Sequence, residues 1–498
     1  MIHPSVGNFD WRPVLSSSVV LLLGLGVGRA EVKVTNLFGD HMVIQRDIPA
    51  PIWGTAEAGE AVKVKFGENE VATQADAGGK WMVKLPAQKA NATPQELTIE
   101  GKNMVVIRDV LVGDVWICSG QSNMECNLGG CNAPEDVQGA NVPNLRRIKF
   151  NHVALAKPSM DIPGKWENCT PATAGGFTAV GYYFARRIQK EVDVPIGLLD
   201  DNWGGCLIEP WIPKEGFELY PQEPLLAKCL EIVKNREAGN LPPNAPGDAG
   251  APTTMYNGML HGVVPFGIKG ALWYQGESNG GEGDEYYAKM RALIEGWRKI
   301  WNQGEFPFYF VQLANWQNPT DNPQGGDGWA RCRMAQTKSL QIPHTGMAVT
   351  IDIGEGPDIH PKNKFDVGER LALWALRNDY GKSGLVVSGP LYKSMKIEGG
   401  KIRIEFDHAD NGLIVGKKDG RKPTEVDAAG KLARFAIAGE DKKWVWAEAV
   451  IEGNSVVVSS PSVPGPVAGR YAFSMNPLGC NLYNKEGLPA SPFRTDNW

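Results

Sequence analysis

Histidine is scarce in this chain, at seven of 498 residues. There is no His-Glu-x-x-His run and no Cys/His cluster, so the sequence offers no metal site and no cofactor is expected. The eight cysteines include no Cys-x-x-Cys pair and are too few for a disulfide scaffold, although they suit an oxidising compartment. Cys126 and Cys131 are near enough in sequence to close a short loop. Basic runs and acidic tails are missing, and the formal net charge is only −5, which argues against a nucleic-acid partner. No internal repeat and no low-complexity segment is present.

Long apolar runs are also lacking, apart from Val19 to Val27. Arg12 precedes that run and Gly28-Arg29-Ala30 follows it, the pattern of a secretory signal cleaved near Ala30. The run is short and broken by glycine, a poor membrane span, and no second span follows. An exported mature protein is expected, periplasmic, extracellular or lumenal, with no integral membrane span after cleavage; the long, singly charged stretch before the run leaves an uncleaved anchor as the alternative.

The chain is rich in glycine (59), proline (35) and tryptophan (16), which favours a loop-rich protein containing β-structure. Its 42% hydrophobic and 21% charged content is ordinary for a globular protein. The length calls for more than one core. Residues 31–108 read as an antiparallel β-sandwich: Val62, Val64 and Phe66 alternate with lysines, and Trp81, Val83 and Leu85 repeat the pattern. Residues 109–381 read as α/β. Apolar strands are predicted at Val115–Cys118, Ile196–Leu199, Ala271–Tyr274, Phe308–Leu313 and Met347–Ile351, and helices at Gly181–Val192, Glu285–Trp301 and Phe365–Asn378. The stretch Glu209 to Asn257 reads as irregular and proline-rich, a wrapping segment at a pocket rim. Residues 382–498 return to β-structure, with Ile402, Ile404 and Phe406 alternating and turns at Asn411-Gly412 and Gly453-Asn454.

Polar motifs follow the predicted strands of the α/β region, where open sheets place their chemistry. Gly120-Gln121-Ser122 follows the first and offers a serine nucleophile. Asp200-Asp201-Asn202-Trp203-Gly204-Gly205 follows the second, with glycines that expose backbone N–H groups. Gln275-Gly276-Glu277-Ser278-Asn279 follows the third and offers a side-chain amide as oxyanion donor. Asp358-Ile359-His360 lies in the loop after the last. Among the histidines outside the signal and the β regions, His360 alone has carboxylates close by in such a loop, and a catalytic histidine needs one. Nucleophile, oxyanion donors, base and orienting acid in this order describe acyl transfer by a serine hydrolase.

Gly120-Gln121-Ser122-Asn123-Met124, Trp273-Tyr274-Gln275-Gly276-Glu277-Ser278-Asn279 and Asp358-Ile359-His360-Pro361 together resemble the sialate O-acetylesterase family of SGNH hydrolases. Leu37 to Gln45, Tyr256 to Met259, Pro265 to Gly270 and Asn481 to Arg494 carry further similarity, so the resemblance spans most of the chain. It implies a three-layer α/β/α, flavodoxin-like catalytic domain flanked by accessory β-sandwich regions. It also implies removal of acetyl groups from O-acetylated sialic acids without a metal. By position, Ser122 is the nucleophile, His360 the base and Asp358 its orienting acid. Ser122 and Gly205 N–H and the Gln275 amide form the oxyanion hole, with Gly204 the alternative to Gly205. SGNH hydrolases usually place the acid three residues before the histidine, where this chain has Pro357. Asp352, Glu355 or a Ser–His dyad therefore stand as rivals to Asp358. Rival functions are an esterase for another acetylated glycan such as acetylxylan, and an inactive carbohydrate-binding protein.

Overall fold

One seventeen-residue strand, Met104–Gly120, runs through two parts of the architecture. The computed structural model describes residues 31–498 except 163, 240, 241, 243, 244 and 246. The expected export signal lies outside the described residues. Early in the strand, Met104 to Val112 pairs antiparallel with Asn91–Glu100, and Leu111 to Gly113 pairs in parallel with Val43–Gln45. From Asp114 onward it enters the central sheet, in parallel with Ile196–Asn202 on one side and Gly270–Tyr274 on the other.

Across that sheet the order is Thr345–Ala348, Phe308–Val311, Gly270–Tyr274, Met104–Gly120, Ile196–Asn202, Val142–Phe150 and Gly164–Cys169. Only the last runs antiparallel to its neighbour. After the central strand the chain first builds one side and then crosses to build the other. The crevice at such a reversal is where open α/β sheets bind their ligands.

Strand alternation divides the interior. Val115 and Ile117 join Leu199, Ala271 and Trp273 in one core, against Leu293 and Trp297 of the helix Tyr286–Trp301. Trp116 and Cys118 join Leu198, Leu272 and Tyr274 in a second, against Phe184 of Ala179–Glu191 and Leu371 of Lys364–Asp379. Burial on both faces accounts for the nearly continuous apolar character of these strands. Side-chain caps start the helices: Asp327 accepts the Ala330 N–H at 2.8 Å, and Asn363 accepts the Asp366 N–H at 3.1 Å.

The chain is thus a mixed α/β fold with a central mixed sheet and several antiparallel sheets. Antiparallel strands from Leu391 onward enclose their own core of Ile402, Ile404, Val456, Val458 and Phe493. Fully buried Arg333 joins them to the α/β region. Its guanidinium donates to the carbonyls of Leu313, Ala314, Ser474 and Met475. Among the described residues, no helix is long and apolar enough to cross a membrane.

Several elements depart from the sequence reading. Val142–Phe150 and Gly164–Cys169 are strands beyond those the sequence pattern indicates; Arg146, Arg147 and Lys149 give the first a solvated look. Pairing lets two of those cations go inside: Arg146 forks onto Asp109 at 3.0 Å through both terminal nitrogens, and Arg147 meets Glu167 at 2.6 Å. The expected irregular stretch 209–257 contains the helix Pro224–Ala238, whose proline sits in the first turn, where no N–H is needed. Gly328–Lys338 is also helical. The last two strands are short, Phe308–Val311 and Thr345–Ala348, so Leu313 and Ile351 already belong to the loops of the site.

Candidate active site

Register brings the motifs together. Gly120 stands opposite both Asn202 and Tyr274, so three neighbouring strands end level. Within three residues of those ends lie Ser122, Gly204-Gly205 and Gln275. Gly120 has φ +133°, and a Cβ there would meet the Tyr274 carbonyl oxygen at 2.1 Å, so the turn into Ser122 requires glycine. Gln121 N–H donates to Tyr274 O at 2.9 Å, and Ser122 opens the short helix Ser122–Glu125.

Ser122 Oγ and His360 Nε2 lie 2.9 Å apart, across 238 residues of chain. That is the separation at which an imidazole takes a hydroxyl proton. On the far side of the ring, Nδ1 lies 3.4 Å from Asp358 Oδ1. The same oxygen accepts the His360 backbone N–H at 2.8 Å, and Oδ2 accepts from Lys362 Nζ at 3.2 Å. These bonds, the backbone one foremost, hold the Asp358 carboxyl below the usual carboxylate range. The rival acids are committed elsewhere. Asp352 takes both arms of Arg370 at 2.7 and 2.8 Å, and Glu355 accepts the Lys362 N–H at 2.7 Å. Of the three, Asp358 is the one beside the imidazole.

The glycine loop is pinned on both sides of Gly205. Trp203 N–H donates to Gly120 O at 3.1 Å, and Gly204 N–H to Glu125 Oε2 at 2.7 Å. Gly204 therefore has no N–H to offer. Gly205 N–H and Ser122 N–H have no acceptor among the described residues. A Cβ on Gly205 would meet nothing within 4 Å, so its backbone is open to an approaching ligand.

Gln275 requires a correction. Its side chain is fully buried, and both amide hydrogens are used, by Cys206 O at 3.1 Å and Asn279 Oδ1 at 2.6 Å. Its carbonyl accepts from Tyr286 at 2.7 Å. An ester oxygen would have to displace one of these partners. The amide ties the loop just beyond Gly205 to the end of the Gly270–Tyr274 strand and has no free hydrogen in this arrangement. Among the described residues no group of three or more His, Cys, Asp or Glu side chains is arranged to hold a metal ion.

The profile of a carbohydrate esterase family, described as sialic acid-specific acetylesterase, matches residues 112–377. That match covers more than half of the chain and all of the site. The chain belongs to this family. It is a carboxylic ester hydrolase that removes O-acetyl groups from sugars. A carbohydrate acetylesterase from Xanthomonas citri, known from its crystal structure, is 39% identical, with a TM-score of 0.82 over 94% of this chain and 100% of that one. The sialate O-acetylesterases of Homo sapiens and Rattus norvegicus are 27% and 28% identical, covering 97% and 94% of this chain and 96% and 95% of theirs.

Two features of the esterase site escaped the sequence reading. Asn123, next to Ser122, ties three loops together. Its amide donates to Glu277 Oε1 at 2.5 Å and to Ile359 O at 3.0 Å, and its carbonyl accepts from Lys364 Nζ at 2.6 Å. Burial pushes the Glu277 carboxyl up and the Lys364 ammonium down from their ordinary ranges. Asn123 and Glu277 lie inside motifs already singled out, so their polarity was a usable signal. The second feature is His152, whose Nε2 lies 2.8 Å from Glu125 Oε1 and whose ring stacks on Trp203 at 4.5 Å. Glu125 thus spans from His152 to the Gly204 N–H. Nothing local to His152 announces this, because its carboxylate partner is distant in sequence.

Proposed function

We infer that this esterase cleaves O-acetylated sialic acids, 9-O-acetyl esters foremost, by a serine acyl-enzyme mechanism. The observation that carries the reading is the 2.9 Å contact of Ser122 and His360 beside two unoccupied backbone donors. Ser122 Oγ attacks the acetyl carbonyl while His360 Nε2 takes its proton. The oxyanion forms against the Ser122 and Gly205 N–H groups. His360 protonates the departing sugar oxygen, and a water activated by the same nitrogen releases acetate. Asp358 orients the ring.

The finer fold reading is an SGNH-type three-layer catalytic domain at 109–381, between β regions at 31–108 and 382–498. Helices against both faces of the parallel strands support it. Export after cleavage near Ala30 is part of the same reading and rests on the leader-like sequence.

A second reading is an esterase for another acetylated carbohydrate, such as acetylxylan. The 39% identity to a protein named only as a carbohydrate acetylesterase favours it over more distant alternatives. The test is acetate release by residues 31–498 from 9-O-acetylated sialic acid and from acetylxylan in parallel, with Ser122→Ala as control. Preference for the sialic acid, lost in the variant, supports the first reading. Preference for xylan replaces the substrate and keeps the chemistry.

A further inference from the structure

Four residues beyond the nucleophile, the Cys126 and Cys131 sulfurs lie 3.7 Å apart as unbonded thiols. The segment between them is tightly built. Cys126 N–H closes the nucleophile helix by donating to Ser122 O at 2.8 Å, and its carbonyl accepts from Ala179 N–H at 2.9 Å. Asn127 turns the chain by accepting the Gly130 N–H on its side chain at 2.9 Å. Leu128 N–H then fastens the loop to Phe177 O at 2.9 Å. These bonds hold both thiols in place at the base of the Ser122 turn.

The two sulfurs differ. Cys126 is partly exposed, and Cys131 is buried. The Cys126 thiol is drawn below its ordinary value, first by its contact with Cys131 and then by the charges of Lys364 and Lys362. That direction favours the thiolate, the form that attacks a disulfide, on Cys126 rather than on Cys131. The other cysteines, Cys118, Cys169, Cys206, Cys229, Cys332 and Cys480, make no sulfur–sulfur contact among the described residues.

We propose that Cys126 and Cys131 form a dithiol–disulfide modification site, closed by a low-molecular-weight disulfide and stapling the loop that carries the nucleophile turn. The Cys126 thiolate attacks the oxidant RSSR, forms a mixed disulfide and expels RS⁻. Cys131 gives up its proton, attacks Cys126 Sγ and expels the second RS⁻. In sum, two protein thiols and RSSR become one protein disulfide and two RSH, with two electrons passing to the oxidant. Closure brings the sulfurs from their 3.7 Å contact to about 2.0 Å. The site is independent of which sugar the enzyme deacetylates.

The test is to equilibrate residues 31–498 with glutathione disulfide, map the cysteines by peptide mass spectrometry and follow thermal unfolding. One disulfide joining Cys126 to Cys131 is expected, with the other six cysteines still thiols. The thermal midpoint should rise by several degrees, and dithiothreitol should reverse both effects. Cys131→Ser should instead stop at a glutathione adduct on Cys126, with no rise. Thiols left intact at both positions, a stable glutathione adduct in the unsubstituted chain, or closure with no thermal shift would each overturn the proposal.

Discussion

Asp358 Oδ1 lies 3.4 Å from His360 Nδ1 but only 2.8 Å from the backbone nitrogen of the same residue. The carboxylate thus shapes the loop more tightly than it grips the ring, and it is 38% exposed and shared with Lys362. Asp358→Asn should lower kcat only about tenfold, and His360→Ala about a thousandfold or more. Steady-state rates of the two variants on one acetylated sugar decide this. Equal losses would make the acid as necessary as the base.

Gln275 sits in a closed hydrogen-bond network with Cys206, Asn279 and Tyr286. Gln275→Ala should cost about 1–3 kcal/mol in stability by leaving buried groups unpaired. Below its melting temperature the variant should keep kcat within about tenfold, less than the hundredfold or more typical of a lost oxyanion donor. Denaturant unfolding and kcat measured on the same preparation test both statements. A loss beyond a hundredfold in a folded variant would return the amide to the oxyanion hole.

Glu125 fixes the Gly204 N–H with one oxygen and His152 with the other. Glu125→Ala should release the glycine loop and lower kcat by about tenfold, with KM changed less. Glu125→Gln can still accept from Gly204 and should recover most of that loss. Failure of the glutamine to restore kcat would mean that the charge, not the contact with Gly204, carries the effect.

Asp201 is fully buried just before the glycine loop, and neither carboxyl oxygen has a partner among the described residues. Burial pushes its carboxyl up from 3.8 to about 8. Between those values the unfolded chain is ionised while the folded chain holds the proton, so this residue's contribution to stability falls as pH rises and levels off above about 8. Asp201→Asn has no proton to lose. Its stability relative to the unsubstituted chain should grow from pH 5 to pH 8, by a few kcal/mol at most. Urea unfolding at the two pH values measures the difference, and a constant difference would place a partner or water on the carboxyl.

Much of this was legible in the sequence wherever the signal was local. The turn at Gly120 is set by a backbone angle and a close approach, and it stands in the sequence as a glycine between an apolar strand and Ser122. The helix Lys364–Asp379 shows itself through Val367 and Leu371 at helical spacing. The strand Val142–Phe150 does not, because its arginines are neutralised by Asp109 and Glu167 at sites its own residues do not reveal. For the same reason Gln275 read as a free donor. Its residue type suits an oxyanion hole, and only the fold shows that Cys206 and Asn279 already occupy both of its hydrogens.

The acyl-enzyme is tested most directly by mixing residues 31–498 with 9-O-acetylated sialic acid, quenching rapidly and mapping the acetyl group on the protein. A transient acetyl ester on the Ser122 peptide is expected, absent from Ser122→Ala, which should release no acetate. Acetate released by Ser122→Ala at the unsubstituted rate would contradict it.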